Sequence, residues 1–215
     1  IGAVDEQGQF VDSHHLFALI VRHLVQDRGE RGNLIRTLST TTMIDRLGKN
    51  YGLQVHETPI GFKYICQKGR QVPWMAAGEE SGGIAYRQWL GERDGLMSAL
   101  LILELMSFHK QRLSQLIEDL HREVGPHYIR REDLHLRPQE MERVRQRLEF
   151  KGITHVGGEL VLDVKRTDGT KLSLENGSWL LIRPSGTEPV LRIYAEAGSI
   201  EQAKQLLEIG REMVA

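Results

Sequence analysis

The stretch Arg183-Pro184-Ser185-Gly186-Thr187-Glu188-Pro189, followed by Arg192, has the residue types needed to grip an anion. Two apolar, strand-like runs flank it, Ser178–Ile182 and Val190–Tyr194. Gly186 can adopt positive φ, which lets successive backbone N–H groups converge on one point. Ser185 and Thr187 add hydroxyl donors, while Arg183 and Arg192 offer forked guanidinium groups matched to phosphate oxygens. The stretch has neither the lysine nor the helix N-terminus of a nucleotide P-loop, so it does not point to ATP. Composition alone leaves an ordinary solvated hairpin loop open, because Ser-Gly-Thr turns are common.

Two further stretches carry chemistry. Gly78-Glu79-Glu80-Ser81-Gly82-Gly83 follows a predicted parallel strand, at the end where open α/β sheets place their ligands. Glu79 can accept two sugar hydroxyls, and Ser81 can donate or accept; the plain alternative is a polar strand-to-helix loop. In Thr58-Pro59-Ile60-Gly61-Phe62-Lys63, again after a strand, Lys63 opens a helix and can meet a phosphate or a hydroxyl. By itself it reads equally as a solvated lysine.

Regular elements must position these residues. Asp12 or Ser13 can cap a helix through Gln26, with Leu16, Leu19, Ile20, His23 and Leu24 spaced along one face. Strand-like segments at 33–39, 53–58 and 72–77 then alternate with helical ones at 42–51 and 62–68. Alternation on that spacing predicts a mostly parallel sheet with helices on both faces, a three-layer α/β/α domain. The helix at 94–109 is apolar on most sides and is expected to be buried, packing across the sheet. After an amphipathic helix at 112–124, Gly125-Pro126 breaks the chain. An edge strand (128–136), a charged helix (138 to about 150), strands near 159–165, 170–175, 178–183 and 190–196, and a helix at 199–214 follow. That order predicts a small α+β domain on an antiparallel sheet.

The 215 residues include 28 Lys+Arg and 29 Asp+Glu, a balance that gives no reason to expect a nucleic-acid or membrane partner. Arginines 130, 131, 137, 143, 145 and 147 alternate with Glu132, Asp133, Glu140, Glu142 and Glu149, the pattern of a solvated, salt-bridged surface. His14-His15 and the His121/His127 pair lack metal-site spacing, and the one cysteine, Cys66, reads as packing. A lone cysteine suits a reducing cytoplasm.

Taken together in this order, the three motifs resemble the α-D-phosphohexomutase family, the phosphoglucomutases and phosphomannomutases. Asn176-Gly177-Ser178-Trp179, Arg93-Asp94-Gly95 and Tyr194-Ala195-Glu196 add to a resemblance that runs over essentially the whole chain. It implies that residues 1–11 are the tail of a second domain, 12–125 the sugar-binding third domain, and 126–215 the phosphate-binding fourth. It further implies that Glu79 and Ser81 hold ring hydroxyls and that Lys63 contacts substrate. Arg183, Ser185, Gly186, Thr187 and Arg192 would grip the non-transferring phosphate. Hexose phosphates are the implied ligands, glucose first and mannose next, ahead of amino sugars.

Family members carry a phosphoserine in a Ser-His-Asn loop and a magnesium loop of alternating aspartates, and this sequence has neither motif. Since it also opens in mid-strand at Ile1, the expectation is a C-terminal fragment, inactive alone, with no cofactor of its own and magnesium in the parent enzyme. Its partners would then be the missing N-terminal domains. The alternative is a stand-alone phosphosugar-binding or regulatory module.

Overall fold

The computed structural model describes residues 1–148, 152–185 and 188–214. The chain divides into two compact units, Ile1–Gly125 and Pro126–Ala215. Each is taken separately.

The first unit opens with two short antiparallel strands, β1 (Ala3–Val4) and β2 (Phe10–Val11), and then α1 (Ser13–Gln26). Next come β3 (Asn33–Thr37), α2 (Met43–Tyr51), β4 (Val55–Thr58), α3 (Phe62–Gly69), β5 (Trp74–Gly78) and β6 (Ile84–Tyr86). Two helices complete the unit, α4 (Gly95–His109) and α5 (Leu113–Val124). The sheet runs β4-β3-β5-β6, with β3 parallel to both β4 and β5, and β6 antiparallel to β5. The three parallel strands end on the same edge, and the sequence-predicted loops leave from there. The short edge strand β6 has too few residues for a period-2 signature and is absent from the sequence reading.

The helices cover the sheet unequally. Ile35, Ala77 and Ala85 pack on Phe62 and Ile65 of α3, while the larger cluster on the other face joins Leu34, Ala76 and Ile84 to α1 and α2. Eleven of the 14 residues of α1 are buried, so it is an interior helix with sheet, α4 and α5 around it. Its N-terminus is fixed by Asp12, whose carboxylate accepts from the backbone N–H of His15 at 3.0 Å.

Two expectations are corrected here. The helix at 94–109 is not buried and does not pack across the sheet. Instead α4 lies on α1 through Leu101, Ile102 and Leu105, and leaves Leu96, Leu100, Leu103 and Phe108 each more than half exposed. Conversely, α1 uses nearly its whole circumference rather than one face. Position in the layers, not apolar content, decides which helix is enclosed.

The second unit contains β7 (Tyr128–His135), α6 (Pro138–Arg147), β8 (His155–Val156), β9 (Glu159–Lys165), β10 (Thr170–Leu174), β11 (Trp179–Pro184), β12 (Val190–Ala197) and α7 (Ile200–Glu212). Its sheet is wholly antiparallel, in the order β7-β12-β11-β10-β9-β8. Strands β8 to β12 form a meander, and β7 caps one edge. One face, through Leu180, Ile182, Leu191 and Ile193, packs with Ala203, Leu206 and Leu207 of α7, which is capped by Ser199. The other face buries Trp179, Leu181 and Tyr194, with Lys171 above the Trp179 ring at 4.2 Å and Arg131 above Tyr194 at 5.5 Å. The far end of the helix expected to reach Phe150 lies outside the described residues.

Among the described residues, no helix is long and apolar enough to cross a membrane.

Candidate functional site

The arginine loop joins β11 to β12, and the pairing of these strands sets its geometry. Arg183 and Arg192 are direct register partners, so both side chains rise from the same face of the sheet on adjacent strands. Like charges placed opposite one another repel. Here acids offset that repulsion: Arg183 Nε donates to Asp168 at 2.7 Å, and Arg192 Nη2 donates to Glu188 at 3.2 Å. Asp133, the register partner of Arg192 on β7, holds Arg131 at 2.6 Å and approaches Arg192 at 3.6 Å. The two guanidinium hydrogen bonds of Arg131 pull Asp133 below the usual carboxylate range despite its partial burial.

Arg192 Nε is buried and makes no hydrogen bond among the described residues; the Asp133 carboxylate at 3.6 Å is its ion-pair partner. Ser185 is buried; its N–H donates to Val190 O at 2.7 Å and its hydroxyl accepts from Glu188 N at 3.3 Å, which fixes the two ends of the loop. Gly186 and Thr187, named from sequence, lie outside the described residues.

Asp168 is not singled out by the sequence. It sits in the turn between β9 and β10, and Gly169 after it has φ +81°. A Cβ on Gly169 would stand 2.5 Å from Ile182 O and 2.8 Å from Arg183 Cα, so only glycine lets this turn lie against the base of Arg183. The Asp-Gly pair between two strands is the available signal, readable as a turn but not as a partner for Arg183.

In the first unit, Glu79, Glu80 and Ser81 leave β5 at the shared C-terminal edge of the parallel strands. The loop closes on itself, with Glu79 N donating to Gly83 O at 3.0 Å and Gly82 N to Glu79 O at 3.1 Å. Ser13, the first residue of α1, donates to Glu80 O at 2.7 Å, and Thr37 donates to the Glu80 carboxylate at 3.2 Å. Glu80 therefore faces the buried hydroxyls at the end of β3, Glu79 is buried on the other side of the loop, and Ser81 is exposed.

Burial raises the Glu79 pKa above the ordinary carboxylate value; nearby Glu80 and Glu92 add to the rise, and Arg93 opposes it. Arg93 Nη1 lies 3.4 Å from Glu79 Oε2. Its guanidinium also stacks 4.7 Å from the centre of the Phe62 ring. Phe62 begins α3 and immediately precedes Lys63, so Arg93 ties the Glu79 loop to the helix that carries the lysine. Lys63 itself is exposed, with Nζ 4.8 Å above the Tyr64 ring. In the sequence, Arg93 reads only as the lead-in to α4.

The histidines have structural partners. His15 Nδ1 donates to Asp12 at 2.8 Å and its Nε2 meets His121 Nε2 at 2.9 Å, while His127 Nδ1 donates to Glu196 at 2.8 Å.

The phosphoglucomutase/phosphomannomutase alpha/beta/alpha domain III model matches residues 12–124, and the C-terminal domain model of the same group matches residues 128–212. The chain belongs to the phosphoglucomutase/phosphomannomutase family. Similar proteins include a phosphoglucomutase/phosphomannomutase of Thermococcus kodakarensis, 30% identical over 214 residues, covering 98% of this chain and 44% of that protein. A phosphoglucosamine mutase of Methanocaldococcus jannaschii is likewise 30% identical over 214 residues, covering 99% of this chain and 45% of its own length. Equal identity to the two kinds means that identity alone does not separate a neutral hexose from an amino sugar.

Among solved structures, a candidate phosphomannomutase of Thermus thermophilus superposes with TM-score 0.82 at 30% identity, over 99% of this chain and 43% of that one. Paramecium parafusin, a phosphoglucomutase seen in an open form, shares the fold at TM-score 0.73 and 17% identity, over 99% of this chain and 43% of its own. The chain thus spans less than half the length of these relatives.

Proposed function

We propose that this chain is the recognition half of a phosphohexomutase, and that the full-length enzyme interconverts hexose 1-phosphate and hexose 6-phosphate through a bisphosphate intermediate. The observation that carries the reading is the pairing of Arg183 with Arg192 across β11 and β12, which sets two guanidinium groups side by side at the base of the loop. A phosphate dianion between two guanidinium groups takes forked, charge-assisted hydrogen bonds, worth about 1.5–3 kcal/mol each.

In this proposal Arg183, Ser185, Gly186, Thr187 and Arg192 hold the phosphate that is not transferred. Glu79 accepts from the ring hydroxyls, Ser81 donates to or accepts from them, and Lys63 completes the sugar contacts. Glucose and mannose phosphates are the preferred ligands. Among the described residues no group of three or more His, Cys, Asp or Glu is arranged to hold a metal. The proposal assigns both the magnesium and the phosphoserine to the other half of the enzyme, because this sequence has neither the Ser-His-Asn motif nor the run of alternating aspartates. Alone, the chain binds and does not turn over.

An amide NMR titration with glucose 1-phosphate, repeated with mannose 1-phosphate and with Arg183→Ala, tests this. Shifts at 183–192 and 78–83 that the variant abolishes are expected, with no conversion to the 6-phosphate in a coupled assay. Shifts that survive Arg183→Ala unchanged, or robust turnover by a clean preparation, would overturn it.

A further inference from the structure

Gly83 leaves a space that another residue fills. A Cβ built at position 83 would fall 2.5 Å from Arg93 Cδ, 3.1 Å from Arg93 Cγ and 3.2 Å from Glu79 Oε2. The aliphatic stem of Arg93 therefore lies across the backbone of Gly83, where any other residue would place its side chain. That path brings the guanidinium over the Phe62 ring and within 3.4 Å of Glu79. The backbone of Arg93 is pinned as well, by an isolated antiparallel bridge to Ala85 on β6 and by the bond from Asp94 N to Ile84 O at 2.9 Å. Glu92 takes Arg93 Nε at 3.2 Å, which fixes the turn of the guanidinium.

We infer that Arg93 is a positioning residue for Glu79, aiming its carboxylate at the ligand, and that Gly83 is the residue that admits it. The inference rests on the proposed role of Glu79 as acceptor of sugar hydroxyls. Position 83 is then a specificity determinant without touching ligand: a side chain there expels the arginine stem and frees the carboxylate. Four charged groups meet at this point: Glu79 and Glu80 on the loop, and Glu92 and Arg93 on the segment leading into α4. Removing the Arg93 cation leaves three carboxylates together, so Glu79 must titrate at higher pH and bind hydroxyls less well as the solution is acidified.

The test follows the Glu79 side-chain carboxyl by 13C NMR through a pH titration in the wild-type chain, Arg93→Met, Arg93→Lys, Gly83→Ala and the Gly83→Ala/Arg93→Met double variant. The expected result is a higher titration midpoint in Arg93→Met and in Gly83→Ala, no further rise in the double variant, and partial return in Arg93→Lys. Glucose 1-phosphate titrations on the same samples should show about tenfold weaker binding in Arg93→Met at neutral pH, with a steeper loss towards acid than in wild type. Unchanged amide shifts in α2 and α5, which belong to the same unit as the substituted positions, serve as the control for folding. A Glu79 midpoint that Arg93→Met leaves unmoved overturns the inference, as does additivity of the two single variants. If the wild-type chain binds no hexose phosphate, the recognition role proposed above fails separately, while the carboxyl titration still decides whether Arg93 holds Glu79.

Discussion

Replacing Asp12 with alanine should loosen α1 and, through it, the Glu79 loop. Asp12 performs two tasks with one oxygen: it accepts from the His15 backbone N–H at 3.0 Å as helix cap, and from the His15 ring at 2.8 Å. A lost cap costs about 1 kcal/mol, and a lost charged hydrogen bond to a buried ring about 1.5 kcal/mol or more. Because Asp12 is about a third exposed, with 30% side-chain accessibility, water replaces part of the second contribution. The expected loss is about 2 kcal/mol. Burial alone would push the Asp12 carboxyl up, but the hydrogen bond and charge of His15, with His14 nearby, outweigh it and hold the group well below the usual carboxylate range. A depressed native pKa stabilises the fold above the unfolded carboxylate value of about 4, and that contribution is lost only as pH falls through the lower native value.

Two compact units make a single unfolding midpoint an ambiguous readout, so native-state hydrogen exchange is the better assay. Amides of Leu16 to Val21 should lose about 30-fold protection in Asp12→Ala, the equivalent of about 2 kcal/mol. Those of β11 and β12 should not change. Asp12→Asn keeps an acceptor for the cap and should lose about 1 kcal/mol, while also removing the acid dependence of α1 protection. The amides of residues 79–83 should loosen with α1, because Ser13 at its first position holds Glu80 O. If Asp12→Ala changes α1 protection less than about threefold, the reasoning from cap to loop is wrong.

Two further outcomes follow from buried charge. Arg36, nearly inaccessible, holds Asp45 through two hydrogen bonds at 2.6 and 3.0 Å and Glu57 at 2.8 Å; Arg36→Met should cost about 3 kcal/mol in urea-induced unfolding of the first unit, and Glu57→Gln added to it should recover part of that. In the second unit, the buried Glu196 carboxylate accepts from His127 and from the Trp179 indole; Glu196→Ala should lower exchange protection of β11 and β12 by about 3 kcal/mol, and Glu196→Gln by less, whereas equal losses would show that charge rather than hydrogen bonding holds the group.

Much of the fold was legible because periodicity and breakers agreed. Asp12 before Ser13 marks a helix start that the chain uses. Gly125 and Pro126 mark the division between the units. The errors concern what covers each helix. Leucine and isoleucine fill α4 on all sides, yet half of it faces outward in this chain; α1 carries three histidines and an arginine, yet it is interior. His23 shows how an apparently polar helix can be enclosed: it is fully buried, with Nδ1 donating to Asp27 at 2.7 Å. Hydrophobicity along one strand of sequence measures what a helix can bury. It does not say what stands opposite.

The candidate site divides on the same line between local and distant information. Arg183 and Arg192 were readable because a hairpin places its ends together, so nine positions of sequence separation become one step across the sheet. Asp168 is the partner of Arg183 from 15 positions away on a different hairpin, and nothing local in either segment pairs them. Arg93 is harder still. Its meaning depends on Gly83 having no side chain, and on Glu79 and Phe62 lying to either side of the space so left. In sequence, Gly82-Gly83 reads as flexibility. In the folded chain Gly82 takes φ +88°, as a turn glycine does, but Gly83 serves by volume, and the two roles become distinct only when the atom that would collide is known to be an arginine carbon. A substitution at 83 that backbone reasoning alone would pass as harmless is therefore expected to disturb a carboxylate four residues away.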